Sequence, residues 1–389
     1  MNIKKFQPVR IPLQDAYGMV LQEDLIADRD LPPFDRVTMD GISIRYDAWE
    51  KGNRAFSVKG TQKAGTSPLK LKDPNTCLEV MTGAVLPDGC DCVVPYEDIE
   101  LDNGRADLRK GVILNRRQFV HHQASDCPRG TLLVEKGDRL LAAEVAIAAS
   151  IGKTEVLVAA SPKIAAVGTG DEVVDVQKGV GPQQIRQSNA FAIQAALKLA
   201  GYDHVDRFHI RDHKDEIRKQ LTKLLEAFDV IVLSGGVSMG EFDYVPEALA
   251  DIGVQRLFHQ VKQRPGKPFW FGKSVEGKPV FGLPGNPVST QVGICRYVLP
   301  YLERASGAHE REKEFAVLDK DVDVKTDRVY FLPVKIISGE DARLIAVPQM
   351  PHNSGDYAVL AKTDGFVELP ADTSRFAKGT AARLFRWKT

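Results

Sequence analysis

Residues 161–303 alternate short apolar strands with amphipathic helices, and this alternation constrains the fold more than any other feature. Runs such as PKIAAVG and FDVIVLSGG predict buried strands, and turns and helices follow them. Ser188 or Asn189 is the predicted N-cap of the first helix, Gly201 follows its end, and Asp212 is the predicted N-cap of the second. Strands that alternate with helices of this length form βαβ units. The segment therefore predicts a mostly parallel sheet covered by helices.

Glycine-rich loops mark the strand ends of this segment. The loops are GTGDE (168–172), SGGVSMGEFD (234–243), RPGKP (264–268) and GLPGNPVS (282–289). Ligands of open α/β sheets bind beyond the carboxyl ends of the strands, and glycines let a ligand approach backbone N–H groups closely. Arg264 and Lys267 add positive charge, and Ser289 lies just inside a helix that Pro287 begins, where N–H groups favour an anion. We predict a pocket for a phosphate-like group; the alternative is that the loops are only tight turns.

Acidic residues stand at two of these strand ends. Asp171 and Glu172 follow the first strand, and Asp243 closes the SGGVSMGEFD loop. Carboxylates at a phosphate site usually hold Mg²⁺, which bridges carboxylate and phosphate oxygens. Alternatively, these acids cap the helices that follow. None of the loops is a Walker A motif or a G-x-G-x-x-G fingerprint, which disfavours a P-loop nucleotidase and a dinucleotide oxidoreductase.

The regions on either side of this segment have other patterns. Residues 1–40 and 130–160 are expected to be partly helical, as in PLQDAYGMVLQEDL and LLAAEVAIAASIG. Between them, FSVKG, CLEVMTG, CDCVVPYED and GVILN predict a β-rich lobe. The tail from 306 to 389 predicts a small β-barrel or sandwich. The loops LPPFDRVTMDG (31–41) and MTGAVLPDGCD (81–91) are structured turns, and their spacing alone assigns them no chemistry.

Composition excludes several classes of protein. Lysine and arginine number 52, as do aspartate and glutamate, so the formal net charge is zero, whereas proteins that bind nucleic acid or anionic membranes lean basic. No apolar run approaches the roughly 20 residues of a membrane span, and the first residues lack a signal-peptide core, so we expect a cytoplasmic protein. The cysteines are Cys77, Cys90, Cys92, Cys127 and Cys295. We expect buried reduced thiols, because the C-x-C pair has no two further metal ligands nearby.

Seven motifs follow the order that they have in one known family. They are FDRVTMDGIS, MTGAVLPDGCDCVV, GTGDEV, Ser188-Asn189, GGVSMGEFDY, RPGKP and GLPGNPVS. The corresponding family segments are FDNSAMDGYA, MTGAPLP-x-GAD-x-VV, STGDEL, S-N, GGVS-x-GE-x-DY, KPGKP and GLPGNPVS. The chain thus resembles the molybdopterin molybdotransferases, the bacterial MoeA-type molybdenum insertases related to the gephyrin E domain. The resemblance spans about residues 8 to 300 and, more weakly, the tail.

The resemblance implies a multidomain α/β plus β architecture that agrees with the patterns above. Its parts are a helical N-terminal domain of residues 1–40 and 130–160, an inserted β-rich domain of 41–129, an αβα molybdopterin-binding domain of 161–305 and a C-terminal β-barrel of 306–389. It also implies an elongated homodimer, with the active site between the αβα domain of one subunit and the inserted β lobe of the other. Molybdopterin adenylyltransferase and acceptor molybdoenzymes are the further partners that it implies.

The implied reaction inserts molybdate into adenylylated molybdopterin, with Mg²⁺-dependent release of AMP. By motif, the catalytic residues are Asp40, Thr82, Asp126 and Lys267, with Asp40 as an acid, a base or a group that orients water. The residues implied to contact pterin, phosphate or molybdate are Gly170, Asp171, Glu172, Ser188, Asn189, Ser234, Gly235, Gly236, Ser238, Arg264, Lys267, Pro284, Asn286, Ser289 and Arg328. Asp171, Glu172 and Asp243 are the implied metal ligands. No activated nucleophile is visible, so we expect electrostatic positioning to contribute more than covalent catalysis.

Three departures from the family pattern stand out. HHQASD (121–126) lies where the family often has Arg-Arg-x-Gly-Glu-Asp, and only Asp126 is kept. Histidines, which are mostly neutral at neutral pH, would weaken contacts with phosphate in place of the arginines. Alternatively, this loop has only a structural role and contacts no phosphate. Arg264 replaces a lysine and changes its geometry. A serine pair of the family aligns with Ala358 and Val359, which leaves Ser354 as the nearby hydroxyl.

Three functions compete for this sequence. They are the insertase, a non-catalytic molybdopterin carrier or scaffold of the same fold, and adenylylation of molybdopterin by the αβα domain. The retained acids and Lys267 favour the insertase, because a scaffold need not keep them. The additional N- and C-terminal domains argue against the adenylylating enzyme.

Overall fold

The computed structural model describes residues 3–238, 243–324, 327–351, 353 and 355–388. The chain forms two compact units. The large unit comprises Met1–Glu23, Gly137–Ala142 and Glu155–Thr389, and the small unit comprises Asp24–Lys136 and Ala143–Thr154. The finer division into four domains stays a prediction. No helix in the described ranges is long and apolar enough to cross a bilayer.

Strands and helices are numbered in chain order. The strands are β1 Pro8–Pro12, β2 Leu25–Ile26, β3 Arg36–Val37, β4 Gly41–Ile44, β5 Ala55–Gln62, β6 Thr76–Val80, β7 Cys92–Pro95, β8 Ile99–Asp102, β9 Arg105–Leu108, β10 Val120–His121, β11 Leu132–Val134, β12 Glu155–Ala159, β13 Ile164–Thr169, β14 Val173–Val174, β15 Ile185–Arg186, β16 Val205–Ile210, β17 Val230–Ser234, β18 Gln255–His259, β19 Gln263–Arg264, β20 Trp270–Lys273, β21 Pro279–Leu283, β22 Phe315–Leu318, β23 Val322–Asp323, β24 Val329–Ser338, β25 Leu344–Pro348, β26 Gly365–Leu369, β27 Arg375–Phe376 and β28 Ala381–Arg386. The helices are α1 Tyr46–Glu50, α2 Ala142–Ser150, α3 Asn189–Leu199, α4 Lys214–Ala227, α5 Val245–Asp251, α6 Pro287–Gly293, α7 Leu299–Ala305 and α8 Tyr357–Lys362, with a π-helical turn between α6 and α7.

The central sheet of the large unit is mostly parallel, which confirms the prediction. Among the described residues its order is β16-β13-β17-β21-β20-β18, and β20 runs antiparallel to both of its neighbours. Strands β13, β17 and β21 are wholly buried because helices cover both faces of the sheet. One face packs against Ile193 and Leu197 of α3, and the other against Ile217 and Leu221 of α4. The sheet thus brings the ends of its parallel strands to one edge.

The helices of this sheet begin close to their predicted positions, with one correction. Ser188 is the N-cap of α3, and Pro287 is the first residue of α6, both as predicted. The N-cap of α4 is His213, so the prediction that Asp212 caps this helix is wrong. The helix starts one residue later than expected, and the Asp212 side chain faces other acids instead. Buried Ile217, Leu221 and Leu224 recur at helical spacing along α4 and hold it on the sheet.

The tail forms a closed barrel. Strands β24, β25, β22, β28 and β26 follow one another, and β24 pairs with β26 to close the ring. Buried Leu332, Val367 and Leu384 fill its interior. Strand β19 pairs with β24 from outside the ring, with Arg264 opposite Tyr330. The prediction of a C-terminal β-barrel is confirmed, and its longest strand, β24, also pairs with Arg264 of the RPGKP segment.

The small unit is β-rich, as predicted. In the part of this unit that the structure describes, the sheet order is β7-β4-β6-β5-β9-β8, and only β5 and β6 pair in parallel. Two short antiparallel pairs, β2 with β11 and β3 with β10, lie outside this sheet. Buried Ile42, Phe56 and Val94, on strands β4, β5 and β7, belong to the hydrophobic core of the small unit.

The helix expected in PLQDAYGMVLQEDL does not form, so that prediction is wrong. The segment contains one 3₁₀ turn, Leu13–Asp15, and Gly18 then takes a positive φ of 80° that ends any helical continuation. Val20 and Leu21 bridge to the backbone of Arg139 and Val158 instead. The second expected helix, in LLAAEVAIAASIG, forms as α2. Sheet-like pairing therefore overrides a weak helical pattern in the first segment.

The five cysteines are free thiols, and all but Cys127 are buried as expected. Cys77, Cys90, Cys92 and Cys295 are buried, and Cys127 is half-buried. Burial raises the pKa of Cys77, Cys92 and Cys295 to about 12. These thiols therefore stay protonated at neutral pH and act as small apolar side chains.

Candidate functional site

A cavity of about 430 Å³ opens where the parallel strands of the large unit end. Most of its described lining comes from the GTGDE loop, the β14–β15 pair, the start of α3, the SGG turn and the GLPGN turn, and Asp212, Asp243, Pro268 and Tyr357 complete it. The predicted residues among it are Gly170, Glu172, Ser188, Asn189, Ser234, Gly235, Gly236, Ser238, Asp243, Pro284 and Asn286. The structure thus brings together eleven of the predicted residues. Residues 239–242 and Ser354 lie outside the described part of the chain.

Asn189 ties two of these loops together. Its side-chain Nδ2 donates to Ser234 Oγ at 2.9 Å and to the carbonyl oxygen of Gly285 at 2.7 Å. Ser234 is buried, and its hydroxyl also lies 3.3 Å from the Thr290 hydroxyl, while Thr290 Oγ1 donates to the Pro284 carbonyl oxygen at 2.9 Å. The motif residues Asn189 and Ser234 therefore hold the walls of the cavity in place.

The glycines of the SGG turn meet two separate requirements. Gly235 and Gly236 have φ values of 101° and 64°, which favour glycine. A Cβ on Gly235 would lie 2.7 Å from Thr169 Oγ1, and a Cβ on Gly236 would lie 2.9 Å from the same atom. Only a backbone without side chains can pass this close to β13, and that leaves the turn open to a ligand.

Four acids meet at one corner of the cavity. Glu172, Asp212 and Asp243 line it, whereas Asp171 lines a neighbouring cavity of about 540 Å³ and its Oδ1 accepts from Asp212 N at 3.2 Å. Burial raises the pKa of Asp212, and the negative charges of Glu172, Asp171 and Asp243 raise it further. One buried oxygen of Asp212, Oδ1, has no hydrogen-bond partner. In the described ranges no three His, Cys, Asp or Glu side chains are grouped so that they alone could hold a metal ion.

Two residues that line the cavity, Asp212 and Tyr357, were not predicted as site residues from the sequence. The sequence pattern assigns Asp212 only as a helix cap, although its place after a strand of the parallel sheet is a usable signal. Tyr357, the first residue of α8, reaches the cavity from the barrel region. Nothing in the sequence pattern indicates this, because only the packing of the barrel brings α8 to the αβα region.

The predicted cationic residues form a second group. Arg264, Lys267, Ser289 and Arg328 are not among the described residues that line the cavity, although Pro268 of RPGKP is. Arg264 lies on β19 beside Tyr330 of β24, and Arg328 directly precedes that strand. Ser289 is buried, and a Cβ on Gly266 would lie 3.7 Å from Ser289 Cβ. The structure therefore gathers these residues around β19 and the start of α6.

Asp40 and Thr82 are in contact in the small unit. The backbone N–H of Thr82 donates to Asp40 Oδ1 at 2.6 Å and lowers the pKa of this exposed carboxyl, so it is ionised at neutral pH. The following Gly41 has a steric role, since a Cβ there would lie 2.0 Å from the Val94 carbonyl oxygen on β7. Asp40 is therefore held by one motif loop while its own loop is anchored in the sheet.

Asp126 belongs to a separate chain of contacts in the small unit. Arg36 Nη2 lies 3.1 Å from His121 Nδ1, and His121 Nε2 lies 2.8 Å from Asp126 Oδ1. A guanidinium can only donate, so Nδ1 of His121 accepts and its Nε2–H donates to Asp126. Arg117 Nη1 lies 2.9 Å from His122 Nδ1 and fixes the same tautomer there. An arginine side chain thus contacts each histidine of the HHQASD loop at Nδ1.

Family models match most of the chain in three consecutive parts. The MoeA N-terminal region (domain I and II) matches residues 2–152, the probable molybdopterin binding domain matches 165–304, and the MoeA C-terminal region (domain IV) matches 316–384. Along the chain, the three matched regions contain the β-rich sheet, the mostly parallel sheet and the closed barrel, in that order.

Whole-length relatives agree with these matches. The chain is 38% identical over 388 residues to the molybdopterin molybdenumtransferase of Synechocystis, covering 98% of this chain and 96% of the relative. It is 30% identical to that of Staphylococcus epidermidis, covering 95% and 89%. The crystal structure of the MoeA protein of Pyrococcus horikoshii superposes with a TM-score of 0.79 at 31% identity, covering 99% and 96%. With family models and relatives matched over nearly its full length, the chain belongs to the MoeA family of molybdopterin molybdenumtransferases.

Proposed function

We propose that this protein inserts molybdenum into molybdopterin, with adenylylated molybdopterin and molybdate as substrates and AMP as a product. The single observation that carries the proposal is the convergence of the motif loops on one cavity at the carboxyl ends of the parallel strands. Such an edge is where open α/β folds bind ligands. The family and its relatives at moderate identity support the same activity.

The acidic corner supports a Mg²⁺ ion as the cofactor. Mg²⁺ is usually held by one or two carboxylates, waters and substrate phosphate oxygens, so a complete protein cage is not required. Glu172, Asp212 and Asp243 offer oxygen donors at the cavity, with Asp171 beside them, and the unpartnered Oδ1 of Asp212 fits a cation. The ion would supply charge neutralisation at the pyrophosphate. The carboxylates would hold it at the edge of the sheet.

The cationic group supports binding of molybdate. Molybdate is a tetrahedral dianion, and guanidinium and ammonium groups bind such anions through charge-assisted hydrogen bonds. Arg264 and Lys267 are exposed and flank Pro265-Gly266. Arg328, next to β24, extends this positive region. Ser289 stays a predicted contact, and its burial favours a supporting role behind Gly266.

Asp40, Thr82 and Asp126 are the proposed catalytic residues of the small unit. The Thr82 N–H orients the Asp40 carboxylate and keeps it ionised, so it can accept a proton or orient a water molecule. His121 orients Asp126 in the same manner through its Nε2–H. We further propose that the protein works as a homodimer, which light scattering of the purified protein would test.

A single-turnover assay tests the proposal. Purified protein is mixed anaerobically with adenylylated molybdopterin, molybdate and Mg²⁺, and both AMP release and protein-bound molybdenum are followed. We expect AMP release that depends on molybdate and on Mg²⁺, with matching molybdenum incorporation. Tight binding of molybdopterin with neither event would contradict the insertase and favour the carrier.

Asp40→Asn sharpens this assay because asparagine can still accept the hydrogen bond from Thr82 N. We expect molybdenum insertion to be abolished while molybdopterin binding is largely kept. The matched control is Asp102→Asn, which removes an exposed carboxylate of the same unit from β8. Insertion by Asp40→Asn within about twofold of wild type would refute the role of Asp40.

A further inference from the structure

Tyr357 is the only aromatic side chain among the described residues that line the cavity. The residue is 54% exposed, although it belongs to a folded region. No other ring and no cationic side chain of the described residues stacks on its ring. Tyr357 thus contributes a partly exposed aromatic ring to the lining of the cavity.

The position of this ring is fixed by the start of α8. The Asp356 carboxylate caps the helix by accepting from Ala358 N at 3.0 Å and from Val359 N at 3.4 Å. At the other end, the Thr363 hydroxyl donates to the Val359 carbonyl oxygen at 2.6 Å. Trp387 Nε1 donates to the Thr363 carbonyl oxygen at 3.1 Å and ties the helix to the end of the barrel. The ring is therefore carried by an ordered element.

The hydroxyl of Tyr357 links it to the opposite rim. It hydrogen bonds with Ser188 Oγ, at the N-cap position of α3. Ser188 makes no side-chain cap to its own helix, although serine at this position usually does. Its hydroxyl is used for Tyr357 instead. A side chain that gives up a local role for a contact across a cavity is typical of a functional site.

The lining of the cavity is chemically mixed. Glu172, Asp212 and Asp243 form its acidic corner, while the side chains of Val173, Ile185, Pro268 and Pro284 supply apolar surface. A ligand that fills it would combine a metal-binding or anionic part with a flat apolar part. Aromatic side chains bind the faces of planar heterocycles by stacking.

We propose that Tyr357 is a stacking wall for the planar heteroaromatic ring of the substrate. This inference rests on the proposed function, which names no residue that contacts the planar ring of the substrate, and it assigns that contact to Tyr357. Two rings of the proposed substrate have this chemistry, the pterin and the adenine. Ser188 holds the phenol at the rim so that the ring face stays turned to the ligand, and it is a positioning residue.

The test compares Tyr357→Phe, which keeps the ring, with Tyr357→Leu, which removes it. The probes are AMP and molybdopterin, each titrated by calorimetry under anaerobic conditions. We expect Tyr357→Leu to weaken binding of one probe by about 5- to 150-fold, the range for loss of one stacked base, and Tyr357→Phe to stay within about threefold of wild type. Weakened AMP binding identifies the adenine, and weakened molybdopterin binding identifies the pterin.

The controls separate stacking from a role of the hydroxyl and from a general loss of structure. Tyr17→Leu removes a tyrosine that is 70% exposed and does not line the cavity, so it should leave both titrations unchanged. Thermal unfolding of each variant checks the fold. Equal losses in Tyr357→Phe and Tyr357→Leu would overturn the proposal, since the hydroxyl alone would then matter, as would wild-type binding of both probes by Tyr357→Leu. Wild-type protein that binds neither probe would overturn the proposed function itself.

Discussion

Asn189 is the residue whose loss should most directly loosen the cavity walls. Asn189→Ala removes two hydrogen bonds, to Ser234 Oγ at 2.9 Å and to the Gly285 carbonyl oxygen at 2.7 Å. A neutral hydrogen bond contributes about 1 kcal/mol net, so the two together stabilise the fold by about 2 kcal/mol. Ser234 keeps its contact with Thr290, which limits the loss from its buried hydroxyl.

This loss is large enough to measure by differential scanning calorimetry. For a region of about 150 residues, each kcal/mol lowers Tm by about 2–4 °C, so we expect Asn189→Ala to melt about 4–8 °C below wild type. Molybdopterin binding should weaken as well, because the SGG and GLPGN turns lose their link. Both effects share one cause and should appear together.

Lys198→Ala is the matched control for Asn189→Ala. Lys198 is an exposed residue of the same helix and does not line the cavity, so its truncation should change stability by less than about 0.5 kcal/mol. A Tm for Asn189→Ala within about 1 °C of wild type would refute the reasoning. Equal losses in both variants would do so too, since truncation of a side chain on α3, rather than loss of the link between the loops, would then be their cause.

Three further outcomes follow from the structure. Gly41→Ala should lower the free energy of unfolding by about 3 kcal/mol or more, seen as a large drop in Tm, because its Cβ would collide with a backbone carbonyl. The control Gly179→Ala, which has open space around its Cβ, should melt like wild type. Equal melting temperatures of the two variants would contradict this. Asp212→Asn should raise Tm near pH 7.5, and this gain should vanish toward about pH 4. The folded state raises the pKa of Asp212, so ionisation of this carboxyl destabilises the fold once the pH rises above the ordinary carboxyl pKa. In native protein, iodoacetamide should label half-buried Cys127 well before Cys295, whose pKa burial raises to about 12, as peptide mass spectrometry would reveal; the reverse order would refute the burial argument.

The central fold was predictable because its signals are local and repeated. Buried strands such as β13 and β17 are continuous apolar runs, and α4 carries apolar residues at helical spacing. The helix expected in PLQDAYGMVLQEDL failed because Val20 and Leu21 pair with distant backbone, which no local pattern reveals. The barrel of the tail was predictable only as a barrel or a sandwich, because closure depends on the pairing of β24 with β26.

The site was predictable where motif loops follow strands and not where it depends on packing. The GTGDE, SGG and GLPGN turns lie at the edge that the strand order predicts. Asp212 was predicted as a helix N-cap because the sequence does not fix the first residue of α4 to within one position. Tyr357 lies far along the chain from the other lining residues, on a helix whose place is set by the barrel. Its contact with Ser188 joins residues 169 positions apart and leaves no pattern in the sequence.

The barrel is not a detachable module of this protein. Its strand β24 closes the ring and also pairs with β19, and Phe331 and Phe366 of the barrel pack against Val292 and Cys295 near α6. A chain that ends before β22 would leave β19 without its partner β24 and would expose Val292 and Cys295 to solvent. It would also lack the cavity residue Tyr357. Grafting a barrel from a relative would therefore have to reproduce a strand register as well as a linker. Exchange between relatives should succeed only when β19, α6 and the barrel are transferred together.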